Sequence, residues 1–263
     1  MLAEMNYEQT FKSDLHLAMA VQRQMLPRNT KKLSTVSYAG MSAAARGIGG
    51  DYYDFLDFGP GSLGFVLADV TGKGVAAALL MANLQATVRS ECAHGVDDPA
   101  ATLERVNRHF FESTLLEQFA TLFFGQYDEL TGRLTYVNCG HQPAILRRSS
   151  GRIEHLEATA LPLGLVADWT GETKILELHP GDALYVCSDG VVEAGIDRGC
   201  ELGEAGLISV IAASPDQEIP CALARIARAV RSYTPAGLID DATIIGLRVL
   251  GRETDSAPSP IGN

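Results

Sequence analysis

Four aspartates stand at the ends of apolar, strand-like runs, each beside small turn-forming residues. Residues 63–68 are continuously apolar apart from one glycine, stop at Asp69 and pass into the tight loop Asp69-Val70-Thr71-Gly72-Lys73-Gly74. Residues 183–188 close on Asp189-Gly190, Asp240-Asp241 opens the run 242–249, and Asp51 follows Gly49-Gly50 at the head of Tyr52-Tyr53-Asp54-Phe55. Short apolar runs bounded by turn residues read as buried strands. Their carboxylates either cap separate loops or converge on one rim of a layered sheet. Convergence would make the acids repel and protonate unless cations held them. Oxygen ligands without His or Cys in the motifs point to hard ions, Mg²⁺ or Mn²⁺. Two such ions roughly 3.5–4 Å apart would activate a water and clamp an in-line phosphoryl displacement. On the residues alone both readings stay open.

The rest of the chain sets these runs in a mixed fold. Phe11, Leu15, Ala18, Gln22 and Met25 fall at helical spacing over residues 10–26, with Pro27 as the stop and Gln22 interrupting the apolar stripe. Helices are expected over 75–92, 99–116, 207–213 and 219–232, and further strands over 120–128, 133–138, 144–148 and 172–178. The turns at 129–132 and 149–151 are hairpin punctuation. Hairpin-linked strands with helices bunched between and after them argue against a βαβ repeat and for an α+β sandwich dominated by antiparallel sheet. The expected division is a regulatory helix in 1–30, a globular domain in 31–250 and a flexible tail in 251–263.

Charge and cysteine usage narrow the function classes. The chain of 263 residues has a formal charge of −11, and no basic stripe is available for nucleic acid or an anionic membrane. Residues 121–263 hold 19 acidic and 11 basic side chains, with Asp182, Asp189, Glu193, Asp197, Glu201 and Glu204 set against Arg198 alone in 182–204. The longest apolar run is too short to span a bilayer, and Glu4 and Glu8 do not suit a secretory signal. Five scattered cysteines without a CxxC pair fit a reducing, cytoplasmic setting rather than a disulfide framework or zinc site. Thr71-Gly72-Lys73-Gly74 is not a nucleotide-binding P-loop, because Leu67 stands where the leading glycine is needed and Lys73 precedes glycine. His141 reads as a turn-and-packing residue and Arg46 as a surface arginine.

The ordered set VQRQMLP (21–27), GGDYYD (49–54), ADVTGKGVAAALLMA (68–82), TLFFGQYDELTGRLTYVNCGHQPAIL (121–146), LPLG (161–164), CSDGVVEA (187–194) and DDATIIGLRV (240–249) resembles the metal-dependent PPM class of Ser/Thr protein phosphatases, in the bacterial branch typified by SpoIIE and RsbU. The resemblance implies an αββα sandwich of two mainly antiparallel sheets flanked by helices. It implies two Mn²⁺ or Mg²⁺ ions on Asp51, Asp69, Asp189, Asp240 and the Val70 backbone carbonyl, with Asp241 as the alternative to Asp240. The implied reaction is hydrolysis of phosphoserine or phosphothreonine through metal-activated water. The implied substrate is a phosphorylated STAS-type anti-anti-sigma protein in a partner-switching pathway, with an upstream activator and a homodimer through residues 11–26. Where the family often has Pro-Ala-Arg-Glu-Val, this chain has Ala44-Ala45-Arg46-Gly47-Ile48, losing a proline and an acid. The alternative is a catalytically silent binding module of the same fold. Retention of all the matched acids argues against it, since a scaffold gains nothing from mutually repelling carboxylates.

Overall fold

The computed structural model describes residues 2–27, 33–213 and 217–251. An N-terminal helix α1 (Leu2–Met25) precedes β1 (Val36–Ala43), β2 (Tyr52–Asp57) and β3 (Ser62–Val70). Helices α2 (Val75–Glu91) and α3 (Pro99–Ser113) follow, then β4 (Ala120–Asp128), β5 (Arg133–Cys139), β6 (Ala144–Arg147), β7 (Ile153–Leu156), β8 (Lys174–Glu177) and β9 (Ala183–Cys187). The chain closes with the short α4 (Asp189–Val192), α5 (Gly203–Ala212), α6 (Ile219–Tyr233) and β10 (Ala242–Val249). The strands form two five-stranded sheets, ordered β1-β10-β9-β6-β7 and β2-β3-β4-β5-β8, and their ladders are antiparallel. This is the αββα sandwich expected.

Period-2 geometry divides the apolar side chains among three layers. Phe65 and Leu67 on β3 and Phe123 on β4 face inward to meet Leu146, Leu184, Val186, Ile245 and Leu247 of the other sheet. The alternate residues Val66, Ala68, Leu122 and Phe124 face outward under Met81, Leu84 and Val88 of α2 and Leu103, Val106 and Phe110 of α3. On the opposite side Ile145, Tyr185 and Ile244 pack beneath Leu207 and Ile211 of α5 and Leu223, Ile226 and Val230 of α6. Central strands buried on both faces explain why residues 63–68 and 183–187 read as continuous apolar runs rather than alternating ones.

Boundaries differ from the sequence reading where local signals are weak. Helix α1 begins at Leu2 instead of residue 10, and α5 begins at Gly203 instead of Leu207. Helix α3 ends at Ser113 because Thr114 is already extended. Strand β7 and helix α4, four residues each, were not expected. Beyond Gly251 the expected tail lies outside the described residues. Among the described residues no helix is long and apolar enough to cross a membrane.

One buried charge fixes α2 against β2. Asp54 is fully buried and accepts from Arg89 Nε (2.6 Å) and Nη2 (3.0 Å), from the Tyr52 hydroxyl (2.9 Å) and from the Phe55 amide (2.9 Å). Arg89 is half exposed while Asp54 is buried, so removing the arginine leaves the carboxylate with only the Tyr52 hydroxyl and one amide. Arg89→Met should therefore cost about 2 kcal/mol, read as a fall in chemical-denaturation midpoint without change in slope. An unchanged midpoint would show that Tyr52 and the backbone alone hold the carboxylate.

Candidate functional site

The acidic rim is built from loops at one end of the sandwich. Gly49-Gly50 delivers Asp51 to the start of β2, and the chain can make that approach only without side chains there. A Cβ on Gly49 would collide with the Asp241 carboxylate, and one on Gly50 would stand 2.7 Å from the Val70 carbonyl oxygen. Asp69 is the penultimate residue of β3, one position further inside the strand than the apolar run suggests, and lies in register opposite Thr121 of β4. After it the Thr71 amide donates to the Phe119 carbonyl (2.9 Å), while the Thr71 hydroxyl accepts from the Phe119 amide (3.0 Å). Gly72 and Gly74, at φ of 96° and 74°, then turn the chain into α2. Asp189 is the first residue of α4, directly after β9 and Ser188.

Asp51, Asp69 and Asp189 lie close to other carboxylates, and burial and those neighbouring charges both raise their pKa values. Asp51 is 6% exposed; burial raises its pKa well above the usual carboxylate range and the charge of Asp69 adds to this, against the lowering hydrogen bonds of Thr243 and Ser188. Burial pushes Asp69 up to about 7, with Asp189, Asp240 and Asp241 contributing in that order. Asp189 is raised by burial and then by Asp240, and Glu193 by burial, Asp189 and Asp240. Two cavities open beside these acids. One of about 300 Å³ is lined by Gln22, Ser42, Gly49, Asp51 and Asp241, the other of about 270 Å³ by Asp69, Thr121, His141, Gln142 and Asp189. The larger cavity of about 550 Å³, against Leu33, Tyr38, Phe55 and Glu129, lies at the opposite strand ends and touches none of the four aspartates.

The adjacent acids at 240 and 241 do different work. Asp241 is buried and spends both oxygens on backbone, accepting from the Ala45 amide (2.8 Å) and the Gly50 amide (2.8 Å). Asp240 pairs with Lys73 Nζ at 2.6 Å. Among the described residues no three His, Cys, Asp or Glu side chains gather at ligating distance around one point. The present partners account for that: Asp51 accepts from Ser188 Oγ (2.8 Å), Asp240 takes the ammonium, and Asp241 takes two amides. The donors that fit a hard divalent cation are all oxygens, on Asp51, Asp69, Asp189, Asp240 and the Val70 carbonyl beside Gly50.

Three contributors were not assigned from sequence. Ser188 accepts from the Thr243 amide (2.9 Å) while donating to Asp51, so it ties β10 to the head of β2. Gln22, the polar break in the α1 stripe, donates to the Gly49 carbonyl (2.7 Å) and accepts from the Gly49 amide (3.1 Å). That break was the available signal. Lys73 carried no signal beyond its glycine neighbours. His141 is 4% exposed, donates its amide to the Asn138 side-chain oxygen (2.8 Å) and contacts Thr121 Oγ1 through Nδ1 (2.9 Å). Burial pushes its pKa down to about 4; the Cys187 carbonyl is near enough to oppose this but makes no hydrogen bond of acceptable geometry with Nε2. Arg46 is exposed, and all five cysteines are free thiols.

The family model for Stage II sporulation protein E (SpoIIE) matches residues 59–250. The chain is 29% identical over 193 residues to the phosphoserine phosphatase RsbU of Bacillus subtilis (strain 168), covering 73% of this chain and 57% of RsbU. It is 26% identical over 188 residues to the phosphoserine phosphatase RsbP of the same organism, covering 69% of this chain and 46% of RsbP. The chain thus spans about half the length of these relatives. Among solved structures, the SiaA-PP2C domain of Pseudomonas aeruginosa superposes with a TM-score of 0.80 at 20% identity, covering 92% of this chain and 98% of that one.

The raised carboxylates have a signed consequence for stability. An unfolded aspartate ionises near pH ~4, so between about 4 and 7 folded Asp69 holds a proton that the unfolded chain has released, and stability falls as pH rises. His141 acts oppositely: its folded pKa of about 4 lies below the unfolded value, so its contribution is lost as pH falls through the region below 6.5. At pH 6.5 the unfolded imidazole is still about half protonated, so up to about pH 7.5 His141 offsets part of the Asp69 effect. In chelator, the melting temperature should fall from pH 6.5 to 8, with Asp69 contributing on the order of 1 kcal/mol and His141 returning roughly half of it, a net fall of about 1–2 °C. Asp69→Asn should flatten that fall, and a melting temperature that rises over the window would contradict the placement of these acids.

Proposed function

Because the chain belongs to the Stage II sporulation protein E family, we propose that it is a protein-serine/threonine phosphatase dependent on two Mn²⁺ or Mg²⁺ ions. What supports this reading is the meeting of acids from separate strand ends, Asp69 with Asp189 on one cavity and Asp51 with Asp241 on the other, with Asp240 beside Lys73, and the raised pKa values that burial and neighbouring carboxylates give Asp51, Asp69 and Asp189. Asp51, Asp69, Asp189, Asp240 and the Val70 carbonyl would hold the ions. When bound, the ions supply an activated water and positive charge for the phosphoryl oxygens.

The chain's own residues supply position. Ser188 orients the Asp51 carboxylate, and Gln22 and Asp241 hold the backbone on either side of Gly49-Gly50, so Asp51 enters the rim with little freedom. Asp241 is assigned to this holding role instead of ligation because both its oxygens already serve backbone amides. No cysteine nucleophile is required: Cys139 and Cys187 are buried thiols that burial holds protonated.

The substrate proposed is a phosphorylated STAS-type anti-anti-sigma protein in a cytoplasmic partner-switching pathway, with an upstream activator. The phosphoserine phosphatase names of the relatives support the phosphate ester; the STAS class comes from the family resemblance. A homodimer through α1 is part of the reading, because Phe11, Leu17 and Val21 remain exposed while Leu15, Ala18, Gln22 and Met25 are half-buried against the domain. The competing reading is a catalytically silent binding module of the same fold.

Phosphate release from a phosphorylated STAS protein, followed with and without Mn²⁺, separates these readings. Asp51→Asn and Asp189→Asn should each lower the Mn²⁺-dependent rate at least about 100-fold, in the range expected when a charge-stabilising group is lost. An unchanged rate in both variants would sink the two-ion mechanism, and no calorimetric binding at millimolar Mn²⁺ would favour the silent module. Light scattering of the full chain should give a dimer at high concentration, which Leu17→Glu with Val21→Glu should convert to monomer. A strict monomer in the unmodified chain would refute pairing through α1.

A further inference from the structure

Lys73 places a positive charge inside the acidic rim. Its Nζ lies 2.6 Å from Asp240 Oδ2 and donates to the Ile239 carbonyl at 3.2 Å. The same charge counters the elevation of Asp69, Asp189 and Glu193, so it acts on the cluster as a whole. The lysine stands between Gly72 and Gly74, and at neither glycine would a Cβ find any atom within 4 Å. Both positions face open space on the Cβ side, while the Gly74 carbonyl accepts from the Ala78 amide (3.0 Å). The paired side chains are 36% and 34% exposed, which leaves water and ions access to both.

An ammonium at this distance neutralises the Asp240 charge and occupies one lone pair of Oδ2, so a divalent cation approaching that oxygen meets a repelling and competing positive charge. A lysine is a compact point charge on a flexible stem, able to leave one partner without rearranging the backbone. We propose that Lys73 is the resident counter-cation of the acidic rim, holding Asp240 in the metal-free protein and yielding it to the incoming divalent ion. The inference rests on the metal-dependent reading given above. It assigns Lys73 two effects of opposite sign: it stabilises the metal-free fold by offsetting carboxylate repulsion, and it weakens cation binding by competing for Asp240.

The test uses the full chain, Mn²⁺ alone as the probe, titration calorimetry for affinity and thermal unfolding in chelator for the metal-free state. Lys73→Gln should bind Mn²⁺ about 10-fold more tightly than the unmodified protein and melt at lower temperature without metal. Lys73→Arg, which keeps the charge, should stay within about twofold in affinity. In an Asp240→Asn background, Lys73→Gln should no longer tighten binding, because the two residues act through one contact. Unchanged or weaker Mn²⁺ binding by Lys73→Gln, with normal binding by the unmodified chain, would overturn the proposal and leave Lys73 as a tie between the Gly72–Gly74 loop and Ile239. Failure of the unmodified chain to bind Mn²⁺ would instead remove the metal-dependent reading, and this proposal with it.

Discussion

A buried carboxylate joins the two sheets at their acidic rim, beside the link that Ser188 makes to Asp51. Asp241 heads β10 in one sheet, yet its oxygens bind the Ala45 and Gly50 amides on the segment leading to β2 in the other. Two charge-assisted bonds to backbone are strong and satisfy a group that would be costly to bury alone. Their geometry requires the backbone to pass flush against the carboxylate, which is why glycine occupies 49 and 190: a Cβ on the first would meet the Asp241 side chain, and on the second its carbonyl. From this one fixture follow the position of Asp51, the approach of the Val70 carbonyl to Gly50, and the narrow space between the strand ends.

Around that fixture the fold concentrates like charges, a net cost in the absence of ions. Several partners share the offset. Ser188 donates to Asp51, the Gly190 amide lowers Asp189, and Lys73 engages Asp240. Asp69 has no comparable hydrogen bond in its balance of influences, and it is the carboxylate pushed up to about 7. The layer structure makes this tolerable because the three apolar clusters are complete without the rim. Stability comes from the sheets and helices, while the loops at one end carry the strained electrostatics.

Much of this was legible in the residues. Strands buried on both faces leave continuous apolar runs, and an aspartate at the edge of such a run, with glycine directly after it at Asp189 and two residues beyond Val70 at Asp69, marks its limit, so β3, β9 and β10 could be read directly. Strand β7 could not: four residues containing Glu154 and His155 lack apolar weight, and they pair only because β6 is already in place. The choice between Asp240 and Asp241 was also hidden. Adjacent residues entering a strand point to opposite sides, and which side faces the rim depends on how β10 lies beside the loop before β2, a contact between positions about 190 residues apart. Gln22 showed only as a flaw in a stripe, because the Gly49 backbone that it pairs with is remote in sequence.

The division between Asp240 and Asp241 separates two kinds of importance that usually travel together. Asp241 is shielded from solvent, with both oxygens committed to backbone; Asp240 is one-third exposed and held by the flexible Lys73 and by the amide of Asp241 at 3.0 Å. A survey of substitutions scored by soluble yield would single out Asp241, Gly49 and Gly190 and pass over Asp240. On the metal-dependent reading proposed above, the same survey scored by turnover would rank Asp240 beside Asp51 and Asp189. Two neighbours in the chain thus answer to different selections, one for attaining the fold and one for using it.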